Sequence, residues 1–237
     1  MAVNMAQSSA LLQIAAQDKQ ALRQVWENIQ PDSCPYSYNF HMHTIYSDGQ
    51  LKPEDLINQA IALGLKGLAI TDHHTVGGYQ IAQNCLEYLH KQSSLSTPFP
   101  QLWTGVEVNA DLLGTDVHIL GYAFDPKHPG MEPYIQGKAP QQSNVQAGTV
   151  IEAIQQAGGL AILAHPARYR RPAEELIRAA AGLGIDGVET YYAYNNPNPW
   201  KPSPNQTQLV KQLSDAYNLL NTCGTDSHGT NLLLRRG

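Results

Sequence analysis

Two rhythms of apolar residues alternate along this 237-residue chain. Leu11, Ile14, Leu22, Val25, Trp26 and Ile29 fall near one face at helical spacing, which predicts an amphipathic helix over residues 1–30, ended by Pro31. After Pro35 the pattern switches between short apolar runs and longer amphipathic stretches. The runs predict strands at Tyr38–His43, Gly67–Thr71, Leu102–Asn109, Val117–Tyr122, Leu160–Ala164, Gly187–Thr190 and Leu219–Cys223. The stretches predict helices at Pro53–Leu63, Val76–His90, Ser143–Ala157, Ala173–Leu183 and Asn205–Tyr217. Pro53 sits in the first turn of its helix, where the missing N–H is tolerated. Loops rich in Pro, Gly, Ser or Asn fill Lys91–Pro100, Asp125–Pro140 and Asn195–Asn205. Strands alternating with helices of this length imply an α/β fold with a mainly parallel sheet. The seven predicted strands point to a closed or nearly closed barrel. Residues 1–35 would then be a helical extension packed on the outside, and 36–237 the main domain. The absence of an internal repeat excludes solenoids and propellers.

Composition narrows the class. Charged residues make up 15% of the chain and hydrophobic ones 42%. A charged fraction below the usual ~25%, with ample apolar content, excludes disordered, collagen-like and coiled-coil chains. No apolar run reaches the ~20 residues that span a bilayer. The opening MAVNMAQSSALLQ lacks the positive start and unbroken apolar core of a secretory signal. Cys34, Cys85 and Cys223 are odd in number and widely spaced, without a C-x-x-C, and read as reduced thiols of a cytoplasmic protein. A formal net charge of −5 argues against a broad basic nucleic-acid surface. It does not exclude a nucleotide substrate, because bound cations can supply the positive field locally. No membrane or obligate protein partner is indicated. Nine histidines beside fifteen Lys plus Arg make metal the first chemistry to look for.

The polar residues gather at predicted strand ends, where parallel α/β folds carry their chemistry. His41 and His43, two apart on a strand, share a face, and Asp48 follows in a Ser-Asp-Gly turn. His73 stands directly after the next strand, in Thr71-Asp72-His73-His74-Thr75. His74 reads as a ligand, a donor to a ligand, or an exposed residue. Asp72 reads as an orienting carboxylate or a helix cap. Glu107 lies among valines, where an unpaired carboxylate is costly, so a metal or an Arg partner is expected. His118 falls near the start of its strand. A hairpin turning at Leu112 and Leu113 would bring it opposite Glu107. His165 ends an apolar strand before Pro166, and the loop continues Ala167-Arg168-Tyr169-Arg170-Arg171. Arg168, nearest the histidine, is the candidate phosphate ligand, since a guanidinium suits a phosphate bidentately; Arg170 and Arg171 read as solvated. Asp226 and His228, after the last strand, repeat the spacing of His41 and His43.

Six histidines and three carboxylates are too many for one tetrahedral zinc, which takes four ligands. Two or three divalent ions sharing Glu107 would use them all. Imidazole and carboxylate without thiolate suit Mn²⁺, Fe²⁺ or Zn²⁺ and are too nitrogen-rich for a Mg²⁺ or Ca²⁺ cage.

The segments HMHTIYSDG, ITDHHTVGG, GVEV, HILGY, AHPARY and GTDSHG resemble, in that order, the polymerase and histidinol phosphatase (PHP) family. The resemblance runs from about residue 38 to 229 and implies a distorted seven-stranded β/α barrel with a trinuclear metal site. Carried over, it implies that His41, His43, Glu107 and Asp226 hold one ion, that Glu107, His118 and His165 hold a second, and that Asp48, His73 and His228 hold a third. AHPARY and HILGY are most similar to the branch that dephosphorylates nucleoside 3′,5′-bisphosphates and trims short 5′-phosphorylated RNA or DNA. That branch usually carries a helical insertion between the HILGY and AHP segments; the spacing here leads to the expectation that the insertion is missing or reduced and that a terminal helix is missing. The expected activity is phosphoester hydrolysis through a metal-activated water. Arg168 would hold phosphate oxygens, with His165, His228 or Asp226 moving protons. The alternatives are a histidinol-phosphate phosphatase and a non-catalytic PHP scaffold. Amidohydrolase chemistry is disfavoured, because no lysine follows a predicted strand.

Overall fold

The computed structural model describes residues 15–92 and 98–236. Leu11 and Ile14 of the expected first helix, and part of the Lys91–Pro100 loop, lie outside the described residues. Eight strands alternate with six helices among those described: α1 (Lys19–Glu27), β1 (Tyr38–Asn39), α2 (Pro53–Leu63), β2 (Gly67–Ala69), α3 (Gly77–Gln92), β3 (Gln101–Trp103), β4 (Gly105–Leu112), β5 (Thr115–Tyr122), α4 (Ala147–Gln156), β6 (Leu160–Leu163), α5 (Ala173–Gly182), β7 (Gly187–Tyr191), α6 (Pro204–Ala216) and β8 (Leu220–Cys223). Local chemistry sets the boundaries. In α1, Asp18 caps the free N–H groups of Gln20 and Ala21. In α2, Pro53 opens the helix with Glu54 and Asp55 in its first turn, and Gly64 closes it at φ 71°.

Of the expected closed or nearly closed barrel, a fully closed ring of seven strands does not form. The strands make a three-stranded parallel sheet, β1-β2-β3, and a five-stranded sheet, β4-β5-β6-β7-β8, in which β5 runs antiparallel to β4 and β6. Thr104 makes the break. Its N–H leaves the ladder for Ala16 O (3.0 Å), which splits the expected strand Leu102–Asn109 between the two sheets. The sheet edges meet through single bridges, Met42 with Ser227 and His73 with Glu107. The expected strand Tyr38–His43 is regular only at Tyr38–Asn39. Beyond it, backbone groups pair one at a time, Phe40 N–H with Cys223 O and His43 N–H with Ser227 O.

Period-2 alternation sorts the strands into two apolar layers. Leu68, Val106, Val108, Ile119 and Leu163 pack outward against α2–α5. Ala69, Trp103, Leu120, Tyr122 and Ile162 form an inner cluster, joined by Leu22 and Trp26 of α1. Trp26 meets Tyr122 and Phe40 edge-on, with ring centres 5.1 and 5.6 Å apart. The first helix is therefore anchored in the inner core through Leu22 and Trp26. Burying Leu22 and Trp26 stabilises that contact by about 1.5–3 kcal/mol for each side chain. No described helix is long and apolar enough to cross a membrane.

The reading of three reduced thiols is corrected. Cys34, in the turn before β1, and Cys223, the last residue of β8, form a disulfide with Cα atoms 6.0 Å apart, and Cys85 is the free thiol. Both partners lie in the inner cluster. They are 189 positions apart, so only the closed fold brings them together.

Candidate metal centre

The hairpin β4–β5 places the first part of the site. Its turn is Leu113-Gly114, both residues at positive φ (57° and 73°), the two-residue form that matches strand twist. The turn thus falls one residue later than expected, and Glu107 pairs with Leu120 while His118 pairs with Asn109. Moving the turn centre by one residue shifts each cross-strand partner by two, so side-chain parity survives and both groups keep the inner face. They meet diagonally, His118 Nδ1 lying 2.6 Å from Glu107 Oε1.

Glu107 is the hub. Its side chain is 1% exposed. Oε2 lies 3.1 Å from His41 Nε2, 3.0 Å from His43 Nε2 and 3.5 Å from His73 Nε2. On the other side, His165 Nε2 stands 3.4 Å from Oε1. Asp226 Oδ1 adds contacts of 3.4 Å to His41 Nε2 and 3.2 Å to His43 Nε2. A more open corner is built by Asp48, whose carboxylate lies 3.2 Å from His228 Nε2, 3.5 Å from His43 Nδ1 and 3.8 Å from His73 Nε2. The fold thus brings all nine candidate residues into one continuous cluster. Three subsets have ligand atoms close enough to share an ion: His41, His43, Glu107 and Asp226; His43, Asp48, His73 and His228; and His73, Glu107 and His118.

Several of these side chains are held in unusual backbone. His165 sits at φ 28° and Asp226 at φ 53°, each costing on the order of 1–3 kcal/mol and maintained by the surrounding packing. Gly224, just before, cannot carry a side chain, because a Cβ there would run into His41.

Burial opposes charge on the imidazoles, and the carboxylates oppose burial. For His41, Glu189, Glu107 and Asp226 outweigh desolvation and leave its pKa well above the usual value. His43 is raised to about 9 in the same contest, through Asp226 and Glu107. His73, with more desolvation than compensation, falls to about 4. Burial would raise the carboxyl groups of Glu107 and Asp226, but the surrounding histidines hold both well below the usual range.

The donor set fits divalent ions. His43 Nε2 and His165 Nε2 face carboxylate oxygens without hydrogen-bond geometry, and His73 Nδ1 and His165 Nδ1 are buried with no hydrogen bond, an arrangement that is costly unless something else binds there. Imidazole nitrogens and carboxylate oxygens converge at distances suited to sharing a cation. The tautomers are set from behind. His228 Nδ1 donates to Asp226 O (2.8 Å), which turns Nε2 toward the Asp48 carboxylate at 3.2 Å.

The structure also shows what the sequence reading missed. Glu189, inner-facing on β7 and fully buried, holds His41 Nδ1 at 2.9 Å through Oε1 and accepts the His165 backbone N–H at 2.9 Å through Oε2. It orients two candidate ligands at once. The signal was present, since a lone carboxylate in the strand Gly187-Val188-Glu189-Thr190 poses the same burial problem as Glu107 among its valines. Glu189→Gln should therefore lower metal affinity or activity about 10- to 100-fold. Metal titration of the variant measures this, and unchanged affinity and activity would refute the role. Among the described residues Asp72 makes no hydrogen bond to an imidazole or to a helix N–H. Its carboxylate accepts Thr44 N–H (2.6 Å), Thr44 Oγ1 (2.7 Å) and Ser47 Oγ (2.8 Å), pinning the turn that carries Asp48. His74 stands outside the three ion-sharing subsets, with Nε2 2.9 Å from Asn109 Oδ1. Arg168 reaches Asp226 Oδ2 at 3.3 Å. Arg171, expected to be solvated, is tied to Glu175 and to Leu113 O at the hairpin tip.

The chain is similar to known proteins in sequence and in fold. The 5′-3′ exoribonuclease of Haemophilus influenzae is 26% identical over 261 aligned positions, covering 81% of this chain and 89% of that protein. The alignment is longer than the chain itself, so that relative carries residues with no counterpart here. The 3′,5′-nucleoside bisphosphate phosphatase of Chromobacterium violaceum is 33% identical over 93 residues, covering 39% of this chain and 30% of that protein. Among solved structures, one from Bifidobacterium adolescentis, described as a metal-dependent phosphoesterase, superposes with a TM-score of 0.67 at 24% identity, covering 85% of this chain and 90% of the other. The family model for the PHP domain matches residues 39–230, the span that holds all nine clustered residues. This chain belongs to the PHP domain family of metal-dependent phosphoesterases.

Proposed function

We propose that the substrates are nucleotides, either nucleoside 3′,5′-bisphosphates or short 5′-phosphorylated RNA or DNA, and that the nine clustered residues hold two or three divalent ions, Mn²⁺ foremost. One observation carries the reading. The guanidinium of Arg168, 43% exposed, meets the ligand cluster on Asp226, so a cation suited to phosphate stands at the rim of a site suited to metal. The names of the two bacterial relatives, an exoribonuclease and a bisphosphate phosphatase, support the substrate class.

His41, His43, Glu107 and Asp226 would hold one ion, Glu107, His118 and His165 a second, and Asp48, His73 and His228 a third. Divalent ions bound there supply Lewis acidity toward phosphoryl oxygens and make water a competent nucleophile near neutral pH. The chain's own groups do the rest. Arg168 draws a phosphate to the rim and neutralises charge building on its oxygens. Glu107, sealed from solvent, keeps its charge among five imidazoles and so remains available to bridge ions. His228, with Nδ1 fixed on a carbonyl and its ring partly exposed, stands where a proton can pass between site and solvent. Tyr192 donates to Asp226 Oδ2 (2.6 Å) and steadies that carboxylate.

The test is direct. The Mn²⁺-loaded protein is offered adenosine 3′,5′-bisphosphate and a short 5′-phosphorylated RNA, with phosphate and mononucleotide release both measured. Hydrolysis of either should vanish on chelation, return with metal, and be absent from Asp226→Ala. Cleavage of histidinol phosphate alone would overturn the nucleotide reading. Full metal occupancy with no hydrolysis of any of the three would favour a scaffold instead.

A further inference from the structure

The segment that follows His228 folds back onto the site. Leu232 is fully buried, and its carbonyl accepts from Asn39 Nδ2 (3.0 Å) and Thr225 Oγ1 (2.9 Å). Gln59 clasps the same stretch, accepting Leu232 N–H (3.2 Å) and donating to Thr230 O (2.9 Å). His228 N–H closes the loop on Arg235 O (2.8 Å). These bonds hold Arg235 in place with its side chain 11% exposed.

Arg235 Nε donates to Asp226 Oδ2 at 2.7 Å, the oxygen that Arg168 Nη1 approaches to 3.3 Å. The other oxygen of Asp226 faces His41 and His43. The carboxylate therefore has imidazoles on one side and two guanidinium groups on the other. Arg235 uses only Nε in this contact. Its Nη1 and Nη2 make no hydrogen bond among the described residues, and 11% of the side chain is exposed. A guanidinium held by one edge, with its other donors open beside a second guanidinium, is a fork prepared for an oxyanion.

We propose that Arg235 is a second phosphate-binding residue. With Arg168 it forms a two-arginine clamp that holds a phosphate monoester dianion on the Asp226 side of the ligand cluster. Two cationic forks beside the cluster favour a doubly charged terminal phosphate over the single charge of an internal diester. The inference rests on the nucleotide reading above and adds a residue and a charge preference to it.

The experiment compares wild type, Arg235→Gln and Arg235→Lys, each Mn²⁺-loaded, with metal content by elemental analysis and inorganic phosphate binding by calorimetry. KM and kcat for adenosine 3′,5′-bisphosphate are measured beside them. Arg235→Gln should weaken phosphate binding about 10- to 100-fold, the loss expected for a charge-assisted hydrogen bond. KM should rise while metal content and melting temperature stay at wild-type values. Arg235→Lys, which keeps the charge and loses the fork, should recover part of the phosphate affinity. Unchanged phosphate affinity in Arg235→Gln would overturn the clamp. So would a loss of affinity that only follows a loss of metal, since Arg235 would then merely balance the charge of Asp226. If wild type itself binds no phosphate and hydrolyses no nucleotide, the underlying reading fails first, a result distinct from a wild type that binds phosphate through Arg168 alone.

Discussion

Glu107→Gln should reduce phosphoester hydrolysis by well over about 100-fold and lower the bound metal by at least one ion per chain. The lower bound follows from what partners behind a ligand already contribute, about 10- to 100-fold, which a residue proposed to hold the ions itself would exceed. Geometry singles out this carboxylate. Five histidines from four separate parts of the chain have a ring nitrogen within 3.5 Å of one or other of its oxygens. Glutamine keeps the shape and removes the charge, and its amide nitrogen turns a donor toward nitrogens that need an anion or a cation between them. The buried imidazoles would also lose the charge that opposes their desolvation, so His41 and His43 should both bind protons less readily in the metal-free variant. Elemental analysis beside a hydrolysis assay checks the prediction. A Glu107→Gln protein with full metal content and wild-type turnover would remove Glu107 from the centre of the site.

Cys34→Ser should destabilise the fold by about 3–5 kcal/mol, the range for cross-links that close long loops. Here the loop spans 189 positions. For a chain of this size that corresponds to a fall in melting temperature of about 6 °C or more. The bond also has a position. It ties the turn before β1 to the end of β8, three residues ahead of Asp226, and the pair lies among Trp26, Phe40, Tyr122 and Trp103. Its loss should loosen the junction where the first and last strands deliver His41, His43 and Asp226. Denaturant melts of wild type and variant under non-reducing conditions measure the stability. A thiol count on unfolded, unreduced protein provides the companion result, one reactive thiol from Cys85 if the disulfide is present and three if it is not.

The sequence carried more of the site than of the sheet. His41 and His43, like Asp226 and His228, announce themselves by their spacing at strand ends, and the fold places both pairs in one cluster. Helix α2 begins and ends where its proline, acidic first turn and glycine say it should. The β4–β5 hairpin was legible in kind and not in register. A leucine at positive φ is an unfavourable choice that no composition rule selects, and it moved the turn by one residue. The split of Leu102–Asn109 into two strands was not legible, because it depends on a bond from Thr104 to Ala16, far away in sequence. Arg235 gave no local signal at all. In sequence it is one of two adjacent arginines after three leucines, and only the folding back of residues 229–236 brings it to Asp226.

What the sequence determined by itself is the alternation of strands and helices and the identity of the residues that carry chemistry. Both follow from short-range physics: side-chain period along a strand, the conformations that proline and glycine allow, and the cost of burying a charge among apolar neighbours. What only the tertiary structure decided is who meets whom. The pairing of Cys34 with Cys223, the grip of Glu189 on His41 across 148 positions, the gathering of five histidines around Glu107 and the placing of Arg235 beside Arg168 depend on contacts between distant parts of the chain. Such contacts are fixed by how the two sheets and their helices pack as a whole, and packing is a property of the closed fold that no local window contains.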